Sequence, residues 1–141
     1  MTDMDALEAL VGEWTAEAVD PGSGEPVRGE MTVEWLEGGG YLIQRWTMED
    51  PRFPRGITVI GPDRSGDLIV QHYFDSRGVA RVYEISLENG VLRLSRDDED
   101  FAQRYTGRFS DDGSAIEGAW ERTQDDGTWV HDFDLTFWRR A

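Results

Sequence analysis

Thr128-Trp-Val-His-Asp-Phe-Asp-Leu-Thr-Phe-Trp138 alternates apolar and polar side chains almost without a break. Trp129, His131, Phe133, Leu135 and Phe137 share one parity, and Asp132, Asp134 and Thr136 share the other. Successive side chains of a strand take opposite faces, so this period of two predicts a long strand with one covered face. On this reading His131 lies on the covered side among the aromatics. His72, the other of the chain's two histidines, sits in Leu68-Ile-Val-Gln-His-Tyr-Phe74 with the parity of Leu68, Val70 and Phe74. Both imidazoles are therefore expected inside whatever the strands enclose.

Outward from that stretch the pattern repeats. Turn signals fall at Asp20–Gly24, Glu37–Gly40, Asp50-Pro51, Gly61–Gly66, Ser76–Gly78, Glu88–Gly90, Asp97–Asp100, Asp111–Gly113 and Asp125–Gly127, each rich in the residues that favour turns. Between them lie about ten strands, over 13–19, 27–36, 40–48, 56–61, 67–75, 79–87, 90–96, 101–109, 114–123 and 128–139. One short helix precedes them, capped by Thr2 or Asp3, with Met4, Leu7, Leu10 and Val11 on one stripe and Gly12 at its end. No helix separates the strands, which excludes a parallel α/β sheet. The expected fold is all-β: an antiparallel up-and-down barrel of about ten strands, the short helix closing one end. A two-layer sandwich is the competing solution, and hairpin-length connections count against it. Residues 1–141 read as a single domain.

The more apolar parity of each strand gives an expected interior. It collects Val27, Met31, Val33 and Trp35; Arg81, Tyr83 and Ile85; Phe101, Gln103, Tyr105 and Phe109; and Ile116 and Trp120. Strands three and four are ambiguous, so the facing of Tyr41 and Arg45 is open. Two histidines, Arg81, Gln103 and two tyrosines inside a dry core would each need a partner. A lumen holding solvent or a ligand accommodates them more easily.

The chain carries 29 acidic residues against 14 basic ones, a formal net charge of -15. Such a field repels phosphate backbones and anionic lipid, so neither nucleic acid nor a membrane surface is an expected partner. All the basic residues are arginine, the signature of arginine-rich codon usage more than of selection for guanidinium groups. The dispersed acids read as a solvated outer surface. With no cysteine, disulfides and thiolate metal sites are unavailable. The acidic start lacks a signal-peptide pattern, and the expected location is cytoplasmic.

Gly12-Glu-Trp14 at the first strand and Trp138-Arg139-Arg140 at the last resemble the ends of lipocalin-like (calycin) barrels. In those proteins the indole closes the barrel floor and an arginine from the last strand stacks on it. The resemblance implies structural roles for Trp14 and for Arg139 or Arg140. The phrases Leu10-Val-Gly-Glu-Trp14, Trp35-Leu-Glu-Gly-Gly-Gly-Tyr41, Ile60-Gly-Pro-Asp63, His72-Tyr-Phe-Asp-Ser-Arg-Gly78, Arg104–Gly113 and His131-Asp-Phe-Asp-Leu135 resemble a bacterial lipocalin-like family of unknown function. That family is distantly similar to fatty-acid-binding proteins and to nitrobindin, whose barrel holds haem on a histidine near the C-terminus. The last likeness implies His131 as an axial ligand, without a match to the residues that flank the haem motif.

Three functions follow as expectations. The first is binding of a small hydrophobic or amphipathic molecule in the barrel, with His72, Arg81, Tyr83, Gln103, Tyr105, Trp120 and His131 on its wall and no cofactor. The second is a cofactor-independent isomerase or cyclase using His72 or His131 as general acid–base. The third is a haem barrel. No metal site is expected, because Asp75, Asp132 and Asp134 have the opposite parity to the histidines. Gly38-Gly-Gly40 has no following helix and reads as a turn, not a phosphate loop. Asp75 reads as a turn residue bonding backbone amides. A homodimer is left open.

Overall fold

The computed structural model describes residues 3–98 and 101–140. Ten antiparallel strands follow one another around a closed ring: β1 (Gly12–Val19), β2 (Pro26–Trp35), β3 (Leu42–Met48), β4 (Gly56–Pro62), β5 (Ile69–Asp75), β6 (Ala80–Glu88), β7 (Val91–Arg96), β8 (Gln103–Phe109), β9 (Ala115–Thr123) and β10 (Trp129–Arg139). Each strand pairs with its chain neighbours, and β1 pairs with β10 to shut the barrel. Closure leaves no unpaired sheet edge. Among the described residues no helix is long and apolar enough to cross a membrane.

The strands form where the alternation places them, with ends displaced by two residues at most. Asn89 and Gly90 both adopt positive φ (52° and 74°), the left-handed pair that a two-residue hairpin requires. The N-terminal helix is a tight 3-10 turn over Asp5–Leu10. The Asp3 carboxylate accepts the Ala6 N–H at 3.0 Å; Thr2, the other expected cap, lies outside the described residues. Gly12 does not end the helix but opens β1, at φ 136°.

That turn seals one end of the barrel, hereafter the floor. Leu7 and Leu10 are buried beside Trp14, Val33, Leu42, Ile60, Ile85 and Ile116. The Trp14 indole N–H donates to the Leu10 carbonyl at 2.9 Å, tying helix to strand. Arg139 lies over the Trp14 ring, 4.2 Å from its centroid, and donates to the carbonyls of Val11 (2.7 Å), Ala9 (2.5 Å) and Gly113 (3.0 Å). Arg140 turns instead to Glu30 at 3.6 Å. Gly12 is needed here because a Cβ would stand 2.7 Å from the Arg139 guanidinium.

Above the floor an aromatic belt crosses the lumen. Trp46 stacks on Tyr73 (5.2 Å between centroids), Tyr73 meets Tyr83 (6.1 Å), Tyr83 meets Trp120 (5.6 Å), and Trp120 meets Tyr105 (5.5 Å). The Tyr105 ring lies flat over two paired glycines, Gly107 and Gly118, and its hydroxyl donates to the Leu135 carbonyl at 2.9 Å.

Two expected facings are corrected. In β5 the inward residues are Ile69, Gln71 and Tyr73, while Val70, His72 and Phe74 point out. In β10 the register shifts between His131 and Phe133. This β-bulge admits one extra residue and inverts the parity before it. Phe133 (opposite inward Trp120), Leu135 and Phe137 stay on the inner side, but Trp129 and His131 turn outward. Of the two ambiguous strands, β3 points Leu42, Gln44 and Trp46 inward and leaves Tyr41 and Arg45 outside.

Two variants test this account of the fold. Arg139→Ala, which strands three carbonyls and bares the Trp14 ring, is expected to cost about 1–3 kcal/mol by denaturant titration. Gly118→Ala places a Cβ 2.4 Å from the Tyr105 hydroxyl and is expected to cost about 1–3 kcal/mol.

Candidate functional site

The polar residues of the inner wall gather toward the end of the barrel opposite the floor, hereafter the open end because the helix does not cover it. β6 brings in Arg81 and Tyr83, β8 brings Gln103, β5 brings Tyr73 and Asp75, and β9 brings Trp120 and Arg122. Tyr83 and Tyr105 are buried, whereas Trp46, Tyr73, Arg81, Trp120 and Phe133 remain half-buried although they face inward.

Gln103 is the hub of the wall. Its carbonyl oxygen accepts the Tyr83 hydroxyl at 2.8 Å and an Arg81 guanidinium N–H at 3.2 Å. The Arg81 guanidinium also lies 5.7 Å from the centroid of the Phe101 ring. Across the lumen the Thr58 hydroxyl donates to Gln44 at 2.8 Å, and Gln44 contacts the Met31 sulfur. No buried side-chain polar atom among the described residues lacks a partner. The polar interior is therefore affordable without solvent, because each group finds its mate on the next strand.

Three other arginines near the open end already hold carboxylates: Arg77 with Asp75 (2.6 Å), Arg96 with Asp98 (3.1 Å) and Arg122 with Asp132 (3.7 Å). Arg81 differs. Among the described residues its partners are a neutral amide and an aromatic ring.

Asp75 closes the β5–β6 turn as its sequence suggests. It accepts the Arg77 backbone N–H at 2.9 Å, and its other oxygen accepts the Tyr73 hydroxyl at 2.6 Å and the Arg77 guanidinium. Burial alone would raise its carboxyl, but the Arg77 and Tyr73 hydrogen bonds overcome that and hold it well below the usual carboxylate range. Desolvation is the leading reason the hydroxyls of Tyr73, Tyr83 and Tyr105 are pushed up, which keeps all three protonated near neutrality.

The five non-histidine residues expected on the wall, Arg81, Tyr83, Gln103, Tyr105 and Trp120, do meet there. The two histidines do not. His131 is largely exposed on the outer face, its Nε2 2.8 Å from Asp134, beside a strip in which Arg104 pairs with Glu121 at 2.9 Å and covers Trp129 at 4.0 Å. His72 is exposed on the outer face of β5 between two surface grooves of about 570 and 350 Å³. A haem inside the barrel would find neither imidazole, so the residue implied as axial ligand does not fit that role. The lumen likewise offers no histidine for general acid–base chemistry. Sequence reading missed Tyr73 and Trp46 as wall residues. Tyr73 was recoverable, since it pairs with inward Arg81 and cross-strand partners share a face.

No family model matches this sequence, and no curated protein matches it. Solved structures do resemble it. Rv2717c from M. tuberculosis superposes with a TM-score of 0.68 at 13% identity, over 98% of this chain and 97% of that one. A protein of unknown function from the DUF3598 family of Nostoc punctiforme superposes with a TM-score of 0.62 at 14% identity. The match spans 95% of this chain and 49% of the Nostoc protein. At such identities the likeness is one of fold.

The Asp75 geometry sets a pH dependence. A depressed carboxyl contributes stability that is present above its unfolded value of 3.8 and is lost as pH falls toward the folded one. Asp75→Asn is therefore expected to destabilise the protein at pH 7. The gap between wild type and variant should narrow once the pH drops below about 4, read as thermal midpoints across a pH series. A gap that stays constant down to pH 2 to 3 would contradict the assignment.

Proposed function

We propose that the protein binds a small amphipathic molecule in the open half of the barrel, apolar body against the aromatic belt and acceptor headgroup toward Arg81. The observation that carries this reading is Arg81 itself. It is a permanently charged group on the inner wall, half-buried, with only neutral partners among the described residues. A cation in a low-dielectric lumen gains most from an anion that arrives with its own apolar body. A carboxylate suits the planar guanidinium because it accepts two parallel hydrogen bonds.

The aromatic belt supplies the complementary surface. Trp46, Tyr73 and Trp120 are half-buried on the inner wall, and rigid rings bind apolar bodies at small entropic cost. The fold of the two similar structures is compatible with such a site and names no ligand. Binding is favoured over turnover by the protonation of the wall. The three tyrosines are held neutral and Asp75 is saturated by its hydrogen bonds, so among the described wall residues none is poised to exchange protons near neutrality.

Dodecanoate and dodecanol differ in the headgroup alone and make the test direct. Titrations followed by tryptophan fluorescence and by calorimetry should show dodecanoate binding at least tenfold more tightly than dodecanol. Arg81→Leu should remove that preference, a loss of roughly 1.4 kcal/mol or more, while leaving dodecanol affinity within about threefold. Failure of both probes to bind, or a carboxylate preference that survives Arg81→Leu, would overturn the proposal.

A further inference from the structure

Four adjacent strands of the barrel's exterior, β3 to β6, carry a field of side chains that is largely apolar. On β4 and β5 the outward side chains are Ile57, Val59, Val70, His72 and Phe74, with no acid among them. Cross-strand register extends the field sideways into one surface: Ile43, Val59, His72 and Val82 form one row, and Ile57, Phe74 and Ala80 continue the next. Tyr41, Leu68, Phe74 and Val82 are 43%, 44%, 46% and 51% exposed. They account for four of the seven large apolar side chains that stand exposed among the described residues. Scattered apolar residues on a surface need no explanation; a contiguous field across four strands does.

We infer that this face is the interface of a homodimer. Its charges argue for a second copy of the same chain. An isologous interface must be complementary to itself, and a chain with a net charge of -15 can approach its copy closely only where acids are sparse. Asp63, Arg64, Arg96, Asp97 and Asp98 border the grooves at its margins, and two further charges stand at opposite corners of the strand field. Arg45 lies on β3 one row toward the open end, level with Phe74, and Glu84 lies on β6 one row toward the floor, level with Val70. The midpoint of that diagonal falls at the Val59–His72 pair. A two-fold axis lying in the interface plane through this point, perpendicular to the diagonal, sets each Arg45 against the partner's Glu84 twice over. The same operation sets the centre of one apolar field against the centre of the other, with their rows crossing. Arg45 now pairs with Glu34 at 2.7 Å, both groups well exposed, an ion pair of small worth that the cross-dimer contact can replace.

Closure of the barrel removes the alternative of edge-to-edge association, since all ten strands have partners on both sides. Contact must then be made by side chains across a sheet face. The two grooves beside His72, of about 570 and 350 Å³, give the otherwise convex wall recesses into which side chains of the second copy fit.

Sedimentation velocity of the full-length chain between about 1 and 100 μM, a range that brackets weak dimers, tests the inference. The wild type is expected to sediment as a dimer at the upper concentrations. Val82→Glu should raise the dissociation constant at least tenfold, because the substitution buries like charges near the axis. Arg45→Glu should weaken association, and Arg45→Glu with Glu84→Arg should restore it to within a few-fold of wild type. These side chains are exposed, and circular dichroism verifies that each variant keeps the barrel. A wild type that stays monomeric throughout would overturn the inference. So would a dimer indifferent to Val82→Glu, or a double variant no stronger than the single Arg45→Glu.

Discussion

The pairing of β1 with β10 is the constraint on which everything else depends. It joins residues from opposite ends of the chain, Trp14 opposite Arg139 and Ala16 opposite Phe137, so its loop-closure cost is the largest in the fold. The floor offsets that cost locally. Arg139, delivered by the last strand, binds the carbonyls of Ala9 and Val11 and covers Trp14. One guanidinium thus fastens the helix, the first strand and the last strand at a single point. Without it the ring could open along the β1–β10 seam and expose two long edges.

Closure also decides how the two faces of the sheet are used. A floor sealed by the helix at one end only polarises the barrel interior. Aliphatic side chains fill the closed half, aromatics form the middle, and arginines with their acceptors line the open half. The arginines sit there because a guanidinium half-exposed to solvent loses less hydration than one at the floor. Acids predominate over the chain as a whole, and the inner cations are separated from those outside by the wall.

Most of this architecture was legible in the chain. Strand number, order and extent followed from alternation and turn residues, and the floor followed from Gly12, Trp14 and Arg139. What failed was the facing of β5 and half of β10, for two different physical reasons. Apolar parity identifies the covered face only where the other face is polar. In β5 both faces are apolar, and the outer one, with Val70, Phe74 and Leu68, is the more apolar of the two. Register could have corrected it. A turn that sets Phe74 opposite Ala80 also sets Tyr73 opposite Arg81, so an inward Arg81 requires an inward Tyr73. The β10 error had no such remedy, because a bulge is one extra residue in a pattern that looks unbroken.

Both corrections carry functional weight. The bulge at Asp132 moves His131 from the lumen to the surface, and with it goes the imidazole that haem ligation or acid–base catalysis would need. The misread face of β5 marks the outer surface where apolar residues are in excess of what folding requires. On the proposed reading the inner face of β5 packs on its own core and the outer face on a second copy. On the proposed reading the lumen takes its specificity from Arg81 and the aromatic belt, and His72, expected inside the barrel, stands on the face proposed as the contact between chains.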